Sequence, residues 1–184
     1  EPMALLSLMA RLGSSDPVEL RSDMAELIDG FDIERFGSAP TKFDERDLFP
    51  LSARINAARP YDAVAGTIAE IGVPDHLAPQ FWEVTRENIT TLNDLAAWWT
   101  LFRDGAEPDI DPEDRDFIAE AMALLPEGPH DNDTWGQWTQ AVKEATGRKG
   151  KGLFMPLRKA LTGQAHGPEM AKVLPLLQVI KARR

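Results

Sequence analysis

Apolar side chains recur every three or four residues along most of the chain, the period of helices that bury one face. Pro2 suits a first helical turn, and Met3, Leu6, Met9 and Ala10 share a face until Gly13 interrupts it. Asp16-Pro17 reads as a cap followed by a first-turn proline, with a short helix over 24–28 that ends at Gly30. Leu48, Leu51 and Ile55 predict a helix over 45–58, capped by Asp44 and stopped by Pro60. Further helices are expected over 63–71, 75–82 and 92–102, the last two started by Asp75 and Thr91. Three more follow at 112–125, 133–146 and about 151–161, and a last one runs from Gly167-Pro168 to Leu177 with a kink at Pro175. No segment sustains the period-two alternation of a strand. The prediction is an all-α protein.

Short helices joined by tight turns pack as a cage or superhelix and not as a long coiled coil. The stretch 105–112 (GAEPDIDP) is acidic and rich in helix breakers, which makes it the best candidate linker. Three regions are therefore expected: 1–73, 74–106 and 107–184. The tryptophans Trp82, Trp98, Trp99, Trp135 and Trp138 could stack on nucleobases. Trp98 lies three residues from Leu95, and Trp138 three from Trp135, so core anchoring is the favoured reading.

Composition narrows the class. The 184 residues are 43% apolar and 27% charged, ordinary values for a globular chain. There is no cysteine, which excludes disulfides, thiolate-bound zinc and thiol catalysis. No apolar run approaches the length of a membrane span, and a cytoplasmic location is the default expectation. The sequence opens in mid-pattern without an initiator Met, as a fragment of something longer would. Net charge is −10, which alone argues against a nucleic-acid ligand. The charge is unevenly placed, however: residues 146–184 carry +8 and residues 1–145 carry −18. Such a chain can offer one face to a polyanion and repel it elsewhere, although a solvated basic terminal helix is an equally good reading of the charge alone.

Catalytic patterns are nearly absent. His76, His130 and His166 lie in separate turns, and none has a helical partner that would make a metal pair. The carboxylates of 109–116 lack the spacing of a calcium loop. No strand precedes a glycine-rich phosphate loop. The cluster Gly147-Arg148-Lys149-Gly150-Lys151-Gly152 still brings cations and close-approaching backbone together. Arg158 follows on the next helix, and Gln164–Gly167 leads into Pro168 at a new helix start, where backbone N–H groups stand unsatisfied. Donors, carbonyls and a guanidinium in one corner suit the edges of unstacked bases in an RNA loop.

The run GRKGKGLFMPLRKALTGQAHGPEMAKVLPLL (147–177) closely resembles the C-terminal anticodon-binding region of bacterial glutamyl-tRNA synthetases. EPMALLSLMARLGSSDP (1–17) and FGSAPTKFDERDL (36–48) look like the segment of that family that contacts the acceptor-stem side of the tRNA. The resemblance covers essentially the whole chain. It implies the helical cage of a class I synthetase, with 1–73 as the stem-contact region and 74–106 and 107–184 as two anticodon-binding subdomains. Neither the HIGH-like nor the KMSKS-like catalytic motif is present, so no catalytic residue and no metal ligand is expected, and the chain alone should be inactive. The full enzyme of the family joins glutamate to its tRNA with ATP and Mg²⁺. Partners implied are glutamate tRNA and the enzyme's own N-terminal catalytic domain, in a monomer.

The resemblance assigns roles residue by residue. Arg158 matches the arginine that touches anticodon bases, and Gly167, Pro168 and Met170 match the loop and helix start packed against the same triplet. Some family members carry Thr and Leu at the places of Gly167 and Met170. Asn88, with Arg86 two residues before it, stands where the family often has an arginine that helps choose between glutamate and glutamine tRNAs. This departure leaves open whether glutamine tRNA is also accepted, and Asn88 could equally be a helix-terminal cap. Arg148, Lys149, Lys151 and Lys159 are the expected phosphate contacts. The alternatives are a helical protein-interaction module without RNA binding, and, less favoured, an enzyme in its own right.

Overall fold

A computed structural model describes residues 1–183; Arg184, counted above in the basic tail, lies outside the described residues. The helices are α1 (Pro2–Met9), α2 (Met24–Asp29), α3 (Leu48–Ala58), α4 (Ala65–Glu70), α5 (Ala78–Thr85), α6 (Asp94–Asp104), α7 (Arg115–Leu124), α8 (Thr134–Thr146), α9 (Lys151–Thr162) and α10 (Met170–Val173). Tight 3₁₀ turns fill many of the junctions, and no strand occurs among the described residues. The fold is all-α, as the periodicity predicts.

Several onsets differ from expectation because a different side chain does the capping. Asp16-Pro17 starts no helix; the Asp23 carboxylate accepts from Glu26 N–H and starts α2 instead. Thr91 does not cap α6. The Asp94 carboxylate, inside the helix, reaches back to accept from the N–H groups of Thr90 and Thr91 at 2.8 and 2.9 Å. The last predicted helix is helical only over four residues and passes into a 3₁₀ turn, Leu174–Leu176, at Pro175.

One apolar core runs from Val64 to Leu177 and holds Phe81, Trp99, Phe102, Trp138, Leu157 and Leu174. Phe81 meets Trp99 and Phe102 edge-on, with 5.9 Å between ring centroids in both cases. Trp138 buries its indole and donates Nε1–H to the Ala121 carbonyl at 2.8 Å, which satisfies the polar atom that burial would otherwise strand. A second, small core of Ala4, Leu8 and Leu51 joins α1 to α3. The two are stitched together where Trp82 Nε1–H donates to the Arg59 carbonyl, 3.2 Å away.

The acidic stretch 105–112 does not separate one core from another; it clasps the C-terminal tail. Gln178 N–H donates to the Phe102 carbonyl at 2.8 Å, and Lys181 pairs with Glu107 at 2.6 Å. Asp109 N–H donates to the Lys159 carbonyl, and the Lys159 ammonium sits 2.9 and 3.0 Å from the Asp109 and Asp111 carboxylates. A division at 107 thus finds a continuous core on both sides. The breakers mark a tight path across the surface rather than a flexible join.

Candidate nucleic-acid interface

α9 presents Lys151, Phe154 and Arg158 along one face, at the i, i+3 and i+7 positions. Arg158 is half-buried, and among the described residues no carboxylate lies within ion-pair distance of it. Burial pulls the guanidinium below its usual value, yet a guanidinium stays protonated in proteins. Its Nη2 donates to the Pro168 carbonyl at 2.8 Å, which orients the fork and leaves other N–H groups unengaged by side chains.

Gly167 closes this corner. Its φ is +143°, and a Cβ there would lie 3.2 Å from Trp98 Cη2, 3.4 Å from Arg158 Nη1 and 3.6 Å from Gln164 Oε1. Only glycine lets the loop lie so close to the indole and the guanidinium. Trp98 in turn donates Nε1–H to the Asn88 carbonyl at 3.3 Å. Arg158, Gly167, Gln164, Trp98 and the exposed Asn88 therefore form one continuous surface built from the turn before α6, from α6 and α9, and from the loop after α9.

The site residues read from the sequence divide into those that reach this surface and those that do not. Asn88 and Gly167 are exposed. Pro168 is buried and contributes its carbonyl; Met170, 4% exposed, is part of the core and anchors the loop from below. Arg86 is half-buried and paired with Glu83 at 3.3 Å. Arg148 and Lys159 are committed elsewhere. The Arg148 guanidinium pairs with Asp114 and lies 4.0 Å over the Phe117 ring, and Lys159, 17% exposed, is held by two carboxylates. Three of the tail's nine cations, Arg148, Lys159 and Lys181, are thus matched by acidic residues of 107–114. Lys149 and Lys151 stay exposed, without a carboxylate within 4 Å among the described residues.

Two residues that build this surface read differently in the sequence. Trp98 keeps helical spacing with buried Leu95 and so reads as core, although it sits at the rim. Asn56, fully buried on α3, donates Nδ2–H to the Thr90 carbonyl at 2.8 Å and so fixes the turn that carries Asn88. Its own Oδ1 is buried without a partner. Asn56→Leu strands the Thr90 carbonyl but also removes that orphan oxygen, so a net loss of only about 1 kcal/mol is expected in denaturant unfolding.

His130, beside the Gly128-Pro129 turn, is held below the usual histidine range by burial and by the nearby Arg183. Among the described residues no three His, Asp or Glu side chains converge to hold a metal ion, and no helix is long and apolar enough to cross a membrane.

Residues 53–181 match the family described as anticodon binding domain. Glutamate–tRNA ligase 1 of Roseobacter denitrificans is 71% identical over 184 residues, which span all of this chain and 42% of that protein. Glutamate–tRNA ligase 1 of Ruegeria pomeroyi is 74% identical over 183 residues, 100% of this chain and 41% of the relative. The crystal structure of a glutamate-tRNA synthetase from Elizabethkingia anophelis superposes with a TM-score of 0.70 at 18% identity, covering 96% of this chain and 38% of that one. The chain spans about two-fifths of the length of these curated relatives.

Proposed function

The chain belongs to the anticodon-binding-domain family, and from that premise we propose that it is the portion of a glutamate–tRNA ligase that grips the anticodon loop of glutamate tRNA. The observation that carries this reading is the corner itself. A charged guanidinium, without a carboxylate partner among the described residues, lies beside a glycine bend that also meets a tryptophan at an accessible edge. Amino-acid activation with ATP and Mg²⁺ would belong to the remainder of the ligase. The described residues offer no carboxylate cluster for the metal, and no step of adenylate formation is assigned to them.

The mechanism is positional. A base splayed into the corner meets Arg158 N–H groups and the indole of Trp98, while Asn88 offers an amide on the far side. A wrong base leaves the half-desolvated guanidinium without its acceptor, so discrimination comes from an unmet polar group as much as from a good contact. Gripping the loop fixes where the distant acceptor end falls. With an asparagine at 88 in place of an arginine, the corner is compatible with glutamine tRNA as a second ligand. Large apolar side chains exposed on residues 5–49, among them Met24, Ile28, Phe31, Ile33 and Phe49, suit coverage by the rest of the ligase.

Filter binding of glutamate tRNA across a salt series tests this function. Replacing Lys149 and Lys151 together by alanine should weaken all tRNAs alike and flatten the salt slope by roughly 1.5 units. No binding of glutamate tRNA by the wild-type chain would contradict the proposal, and an unchanged slope would remove the two lysines from it.

A further inference from the structure

Resting on the anticodon-loop reading, we propose that Phe154, backed by Trp135 and flanked by Lys151, is a second base-stacking site that holds a loop nucleotide outside the triplet. Phe154 is 45% exposed, and apart from Leu124 every other exposed large apolar side chain among the described residues lies in 5–49. A single ring between cations does not make the broad apolar patch that a protein partner covers. It does have the form of a stacking platform in a single-strand binding groove, where a π-face takes a base and a cation takes its phosphate.

The platform is firmly built. Phe154 lies 6.3 Å from Trp135, centroid to centroid, with the ring planes tilted by 35°. Trp135 is itself braced edge-on by the buried Trp138 at 5.5 Å. Lys151 precedes Phe154 by three residues and Arg158 follows by four, so the platform is continuous with the corner along one face of α9. On its N-terminal side a Cβ at Gly147, Gly150 or Gly152 would meet nothing within 4 Å, so this flank is open to an incoming strand. In a chain of net charge −10 an exposed aromatic one helical turn from Lys151, which pairs with no carboxylate among the described residues, is matched to a polyanion with exposed bases.

The test titrates the chain with an RNA stem-loop carrying the glutamate anticodon, and with the same stem-loop made abasic at one loop position at a time outside the triplet. Phe154→Leu keeps an apolar contact for Trp135 but removes the π-face, and should weaken binding about tenfold; Phe154→Tyr should bind like wild type. One abasic position should weaken the wild type to the same degree and leave Phe154→Leu no weaker than before. Phe154→Leu binding with wild-type affinity would overturn the proposal and leave this face to a protein contact. A tenfold loss that persists undiminished at every abasic position would overturn it too, because the ring would then only support α8. Failure of the wild-type chain to prefer the glutamate triplet is a separate result, which strikes the anticodon reading itself.

Discussion

Arg158→Ala should weaken binding of glutamate tRNA by about 1–3 kcal/mol and blunt discrimination at one anticodon base. The direction follows from the surroundings of the guanidinium. It already lies partly out of water, no carboxylate among the described residues pairs with it, and its hydrogen bond to the Pro168 carbonyl aims it at the surface beside Gly167. Removing it takes away a donor fork that a correct base can meet bidentately. The half-buried position also distinguishes it from Lys149 and Lys151, whose loss is expected to weaken every tRNA equally. Competition binding of glutamate tRNA against single-base anticodon variants checks the prediction. A uniform loss across all variants would reduce Arg158 to a phosphate contact. Thermal unfolding of the variant should stay close to wild type, since only one hydrogen bond to a loop carbonyl is lost.

Gly105→Ala should lower stability by about 2–5 kcal/mol. Gly105 ends α6 with φ +73°, a conformation that L side chains rarely adopt, and a Cβ there would stand 2.7 Å from the Val179 carbonyl oxygen. The neighbour is backbone and cannot rotate away. The strain falls on the place where the acidic clasp and the C-terminal tail meet, between the Gln178–Phe102 hydrogen bond and the Lys181–Glu107 pair. Urea unfolding followed by circular dichroism should therefore shift for the whole core as one transition. A loss confined to the tail, with the α5 and α6 signal unmoved, would mean that 105–112 acts as a linker after all.

What the sequence discloses and what it hides have physical causes. α8 and α9 are readable because their apolar stripes are strongly periodic and Gly147 and Gly163 end them. The onset of α6 is not, because Thr91 and Asp94 are both good capping residues and the choice depends on which oxygen can fold back to the free N–H groups. The +8 tail reads as a ready phosphate surface. In the fold Arg148, Lys159 and Lys181 are taken up by Asp114, Asp109, Asp111 and Glu107, pairings across long sequence separations that no local pattern reveals. Trp98 and Leu95 share a helical face in sequence, yet only Leu95 faces inward far enough to be buried. Asn56 looks like a polar interruption of an apolar stripe; its meaning emerges only where Thr90 arrives from another element. Arg158 and Gly167, by contrast, are readable as a pair because a glycine bend ten residues or fewer from a helix-borne arginine can reach back to it.

The most direct measurement is the affinity of the chain for a glutamate anticodon stem-loop compared with the same stem-loop carrying an unrelated triplet, both at one fixed salt concentration. At least a tenfold preference for the glutamate triplet is expected, since each mismatched contact removes about 1–3 kcal/mol. Equal affinity for the two RNAs would mean that the surface around Arg158 does not read bases.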